Sequence, residues 1–110
     1  AYAPYQYTPV YLRGDMNGWA AGPDSQMLYH GSGKYEITVQ LDAQTYLFKL
    51  ADPDWTSINL GGGTETLVNP DLPLQLFDGG ANLSFTPEAA GSYDFVLDAS
   101  DPAAISLTVR

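Results

Sequence analysis

Between Lys34 and Leu41 the chain alternates strictly. Tyr35, Ile37, Val39 and Leu41 take one side of an extended backbone, and Lys34, Glu36, Thr38 and Gln40 the other. A period of two sustained this long marks a strand with one face on a core and the other toward water. Helical geometry would instead scatter these apolar groups around a cylinder. The period returns in Tyr46, Phe48 and Leu50, in Tyr93, Phe95 and Leu97, and in Ile105, Leu107 and Val109. Val10 with Leu12 and Leu83 with Phe85 supply shorter rows, and Leu72, Leu74 and Leu76 a further candidate. Asp42-Ala43-Gln44 reads as a hairpin connection between the first two rows, and Asp101-Pro102 as the turn between the last two. Pro87 and Gly91 confine Glu88-Ala89-Ala90 to one helical turn at most. Short strands punctuated by Gly, Pro and Asp imply an all-β fold, an antiparallel β-sandwich or barrel.

At 110 residues, 45% hydrophobic and 15% charged, the chain suits a single domain over 1–110 with its own core, not a disordered tail. Residues 1–9, with Pro4 and Pro9 among tyrosines, read as a linker or first-strand arm. Long loops are expected at 14–33, 51–63 and 87–91, where glycine, proline and aspartate cluster. No apolar run approaches the ~20 residues that span a bilayer. The opening AYAPYQYTPV has neither the basic end nor the apolar block of a signal peptide, so the sequence is expected to be a mature or excised piece. A net charge of −9 repels phosphate backbones and anionic lipid, which argues against nucleic acid and membrane as partners and leaves a neutral ligand compatible. The absence of cysteine removes disulfides, thiol catalysis and thiolate metal sites together.

Two residue classes could carry chemistry. Trp19, in Gly14-Asp15-Met16-Asn17-Gly18-Trp19, and Trp55, in Asp52-Pro53-Asp54-Trp55, each follow a strand directly and lie outside every alternating apolar row. An indole face is a good platform for the C–H face of a sugar ring, since contact removes apolar surface of both partners from water. One such stack hides roughly 100 Å², about 2–3 kcal/mol. Two stacks set against the cost of association leave an affinity of roughly micromolar to millimolar. The competing reading has each indole capping an end of the sandwich as part of the core, in a structural spacer or domain-docking module.

The carboxylates are the second class. Ten aspartates and three glutamates make some pair at glycosidase spacing inevitable by chance. Most occur in turn contexts, as in Asp42-Ala43, Asp52-Pro53, Pro70-Asp71, Asp78-Gly79 and Asp101-Pro102, where aspartate binds local backbone. A small chain also leaves little room for both a core and a substrate cleft, so no catalytic residues are expected. His30, the one histidine, sits beside Gly31-Ser32-Gly33 as a turn residue, and no metal site or cofactor is expected. Gly61-Gly62-Gly63 lacks the Lys-Ser/Thr and helix of a phosphate loop, and is read as backbone freed to lie close to a ligand.

Tyr11-Leu12-Arg13-Gly14-Asp15-Met16-Asn17-Gly18-Trp19 resembles the opening strand and turn of the starch- and glycogen-binding modules of families 20, 48 and 69. Three later stretches resemble them in the same order. They are Thr45-Tyr46-Leu47-Phe48-Lys49-Leu50-Ala51-Asp52 followed by Trp55, Gly79-Gly80-Ala81-Asn82-Leu83-Ser84-Phe85-Thr86-Pro87, and Gly91-Ser92-Tyr93-Asp94-Phe95-Val96-Leu97-Asp98. The resemblance implies an immunoglobulin-like sandwich, and a sugar platform built from Trp19 and Trp55. It implies polar contacts from Lys49 and Asn82, with Asn59 a further hydrogen-bonding candidate. The ligand it implies is starch, glycogen or maltooligosaccharide, and the partner an attached catalytic domain of amylase or pullulanase type in a secreted enzyme. Lys49 stands one position nearer its tryptophan than in the glycogen-binding modules, and a one-residue slip reverses the face a strand side chain takes.

Overall fold

A computed structural model describes residues 3–110. Its strands are β1 (Tyr11–Gly14), β2 (Leu28–Gly31), β3 (Lys34–Leu41), β4 (Tyr46–Ala51), β5 (Asn59–Gly61), β6 (Leu74–Gln75), β7 (Phe77–Asp78), β8 (Leu83–Phe85), β9 (Gly91–Asp98) and β10 (Ser106–Val109). One sheet runs β1-β4-β5-β7 with β8 also paired to β4, and the other runs β2-β3-β9-β10-β6. These named strands pair antiparallel throughout, with one isolated parallel bridge at Leu67↔Ser84, and the chain forms the expected β-sandwich. The strictly alternating segment is β3, which pairs with β9 along its whole length, from Lys34↔Asp98 to Leu41↔Gly91.

Alternation places the core. Phe48 of β4 and Phe85 of β8 enter from one sheet and Phe95 of β9 from the other, all fully buried. The Phe95 ring meets Phe48 edge-on at 5.3 Å and Phe85 at 6.1 Å, the arrangement that ring quadrupoles favour. Leu12, Leu50, Leu83, Leu97, Leu107 and Val109 fill the space around them.

Four expectations need correction. The 42–44 connection is not a hairpin. β3 and β4 belong to opposite sheets, so it carries the chain across the sandwich. The 14–33 loop contains β2, whose buried–exposed alternation is too weak to show in the residues, together with 3₁₀ turns at Asp15–Asn17 and Pro23–Ser25. Likewise the 51–63 loop contains β5. Of the Leu72, Leu74 and Leu76 row only Leu74 lies in a strand; Leu76 is buried and Leu72 is 60% exposed.

Gly61-Gly62-Gly63 also has another role than the one expected. A Cβ on Gly61 would sit 2.6 Å from the Gly80 carbonyl carbon, and one on Gly80 2.6 Å from the carbonyl carbon of Gly61. Gly62 and Ala81 bond to each other through both backbone groups, at 2.8 and 2.9 Å. The bare backbone therefore lies against the chain's own 80–81 segment, where side chains would keep the two apart. Within the expected arm, the Tyr5 ring lies 5.6 Å from that of Tyr35, and its amide donates to the Tyr35 hydroxyl at 3.1 Å. Residues 1 and 2 of that arm lie outside the described residues.

Candidate functional site

The first tryptophan loop is a turn closed on itself at the end of β1. The Trp19 amide donates to the Gly14 carbonyl at 2.8 Å. Asn17 clamps the turn from its side chain, donating to Leu12 O at 2.7 Å and accepting the Gly14 amide at 3.1 Å. Gly18 and then Trp19 take left-handed conformations, with φ of 65° and 63°. For a bulky residue that conformation is an outlier, held only where surroundings over-determine it. The Asp15 carboxylate does part of that holding. One oxygen accepts the Trp19 indole N–H at 3.2 Å, and the other accepts the Leu47 amide of β4 at 2.8 Å.

The second loop follows β4 and is organised by Asp52. Its buried carboxylate accepts the Thr56 amide at 3.0 Å, the Ser57 amide at 3.3 Å and the Ile58 amide at 3.5 Å, while the Thr56 hydroxyl lies 3.4 Å away. At the apex Trp55 is again left-handed, with φ of 61°. Burial alone would raise the Asp52 carboxyl. The Ser57, Ile58 and Thr56 amides and the Thr56 hydroxyl outweigh it and hold the group below the ordinary value of 3.8. A depressed carboxyl stabilises the fold fully above its unfolded value and loses that contribution as pH falls through the lower folded value. Loop 52–58 should therefore be unaffected from neutral down to about pH 4 and loosen only below it. Asp98 is also depressed, first by the Ser100 hydroxyl and then by its amide, so the parent's acid limb has more than one source. The difference in thermal midpoint between parent and Asp52→Asn, followed against pH, isolates the loop. It should shrink below about pH 4, and a constant difference would contradict the assignment.

The two loops meet. The Trp19 and Trp55 rings lie 6.2 Å apart with 39° between their planes, and both are half-buried and outside the core. Arg13 of β1 sits between the loops, its guanidinium 4.2 Å from the centre of the Trp55 ring. Its cross-strand partner on β4 is Lys49, whose ammonium is 5.9 Å from the same ring. Lys49 thus lies on the outer face of the sheet beside Trp55. Burial pushes its ammonium below the ordinary lysine range, an effect Asp78 partly offsets.

The structure gathers Trp19, Trp55 and Lys49 into one patch. Asn82 is exposed, and continuing the Phe48↔Leu83 register by one step sets it across from Lys49. Asn59 of β5 pairs with Ala51 of β4, the strand that carries Lys49, and its Oδ1 is buried without a hydrogen-bond partner. Those two residues are placed beside the patch by register alone. A concavity of about 490 Å³ next to it, lined by Asp15, Gln40, Asp42, Gln44 and Tyr46 among others, includes neither indole.

Sequence reasoning missed Arg13, Asp15 and Asp52 as parts of the site. Asp52 was visible as a turn residue but not as the anchor of a tryptophan loop. The signal for Arg13 was its scarcity, since the chain has only four lysines and arginines.

No family model matches the chain, and no curated protein matches it. Among solved structures it is similar to the ligand-induced structure of AmyP-SBD, a starch-binding domain. The two share 26% sequence identity with a TM-score of 0.66, over 93% of this chain and 72% of that one. The two-sheet sandwich is common to both.

Proposed function

We propose that this chain is one non-catalytic module, spanning 1–110, that binds starch or a related α-1,4-glucan and holds an attached glycoside hydrolase on its polymer. The observation that carries the reading is the indole pair, Trp19 and Trp55, half-exposed and side by side on one outer surface. In an α-1,4-glucan successive sugar faces turn as the chain winds, whereas a β-1,4-glucan is a flat ribbon. Two aromatic planes set 39° apart follow the first shape and not the second. The likeness to a starch-binding domain supports the same ligand class, and the resemblance to families 20, 48 and 69 supports an amylase- or pullulanase-type parent and a secreted setting. Lys49, Asn82 and Asn59 supply the hydroxyl contacts in this reading.

A spacer module would bury both tryptophans against the core, and their half-exposure favours binding instead. The carboxylates nearest the indoles are engaged in the fold, Asp15 with the Trp19 indole and the Leu47 amide, and Asp52 with its own loop. Neither is given a catalytic part. The test is retention on insoluble polysaccharides. Starch should retain the protein and cellulose should not. Binding should also change little between low and high salt, because the ligand is neutral. Equal retention on cellulose, or release from starch by salt alone, would overturn the assignment.

A further inference from the structure

We propose that Arg13 sets the angle between the two indoles, and through that angle the preference of the site for a cyclic α-glucan of fixed curvature over a flexible linear one. The inference rests on the platform reading above and deepens it, assigning specificity to a residue that does not itself hold the sugar. Arg13 Nε donates to the Trp19 carbonyl at 2.8 Å, and Nη1 donates to the Asp52 carbonyl at 3.0 Å and the Pro53 carbonyl at 2.9 Å. One guanidinium thus bonds both tryptophan loops while stacking on the Trp55 ring at 4.2 Å. Arginine's planar fork suits this task, because its donors diverge in one rigid plane and the plane can lie on an aromatic face. Arg13 covers that face of Trp55, so stacking of a sugar on this indole requires the other.

Position strengthens the case. Arg13 lies directly across from Lys49 on the neighbouring strand. Like charges so placed are destabilising, in a chain with four basic residues and a net charge of −9 that could have paired each with a carboxylate. The geometry that results is instead two cations within 6 Å of one indole centre, at 4.2 and 5.9 Å. Both tryptophans are also held left-handed, at φ of 63° and 61°. A conformation unfavourable to a bulky side chain needs an external anchor; Arg13 bonds the backbone at Trp19 itself and, in the second loop, at Asp52 and Pro53, on the strand side of Trp55.

The test uses Arg13→Lys and Arg13→Met, which keep the aliphatic stem and lose the fork. Near-ultraviolet circular dichroism reads the coupling of the indole pair without sugar, and calorimetry reads affinity for β-cyclodextrin and for linear maltoheptaose. Both variants should melt cooperatively and lose most of the indole couplet. β-Cyclodextrin affinity should fall about tenfold, the cost of ordering two large side chains on binding, and should fall further than that for maltoheptaose. An unchanged couplet with an unchanged ratio of affinities would overturn the assignment. So would equal losses for both sugars with the couplet intact, which would make Arg13 a direct sugar contact. Failure of both variants to fold also counts against it, since a residue that only positions loops is not needed by the core. A parent that binds neither sugar overturns the platform reading itself, whereas a parent that binds both, with variants that keep its ranking, overturns the role of Arg13 alone.

Discussion

Trp55→Ala is expected to bring binding to soluble starch below detection, and Trp19→Ala to weaken it nearly as far. Each indole offers roughly 100 Å² of apolar face to a sugar ring, about 2–3 kcal/mol. That corresponds to roughly a 30- to 150-fold loss in affinity. A two-platform surface site starts at roughly micromolar to millimolar strength once association entropy has been met, so removing one platform leaves little to measure. Trp55 carries the larger effect because it also presents the face on which Arg13 stacks. Its removal frees the guanidinium and the loop together.

Stability separates a lost platform from a damaged fold. Both tryptophans sit at φ near +60°, where any Cβ is disfavoured and glycine is not. Trp55→Gly and Trp19→Gly should therefore melt no lower than the corresponding alanine variants, reversing the usual order, while binding is lost in all four. If the alanine variants bind soluble starch as well as the parent, the platform is wrong. A single weak site is also the strength suited to a module on a polymer. Its ligand repeats along the chain and the attached domain shares its anchorage, so avidity replaces affinity.

How much of this could be read in the residues depended on how far apart the cooperating groups lie. β3, β4, β9 and β10 announced themselves because a half-buried strand writes its burial locally, every second residue. β6 and β7 hold two residues each, too few for a period to form. The sheet change at 42–44 was hidden because a short connection between strands looks alike whether the next strand pairs or crosses. At the site, the tryptophans stood out by being in the wrong place for a core. The angle between them did not, because it is set by groups 6, 39 and 40 residues apart along the chain. Despite its one-position offset, Lys49 stands opposite Arg13 in the β1–β4 register, with its ammonium 5.9 Å from the centre of the Trp55 ring. Gly61-Gly62-Gly63 was misread for a related reason: its partner, 80–81, is remote in sequence and is itself backbone.

Gly14→Ala is the second change with a large expected effect, and it joins fold to site. Gly14 is buried at the end of β1 opposite Phe48. A Cβ there would press on the Phe48 Cβ and come within 2.5 Å of the Leu47 carbonyl oxygen and 2.8 Å of Phe48 Cα. Those atoms belong to the central strand of the sheet and to a ring fully buried against Phe95, so nothing flexible can give way. Overpacking of this kind costs about 1–3 kcal/mol, occasionally more, and should lower the melting midpoint by roughly 5–15 °C in a domain of this size. The strands can part only by moving β1 off β4, and the Gly14 carbonyl that anchors the Trp19 amide moves with it. Affinity for maltoheptaose should therefore fall with stability even at temperatures where the variant is fully folded. Gly22→Ala is the control. Gly22 precedes the 3₁₀ turn at φ of −124° with open space where a Cβ would stand, and its midpoint should match that of the parent. A Gly14→Ala protein that melts within a degree or two of that control would mean that β1 can shift freely. The Trp19 loop would then have no fixed base from which to meet Trp55.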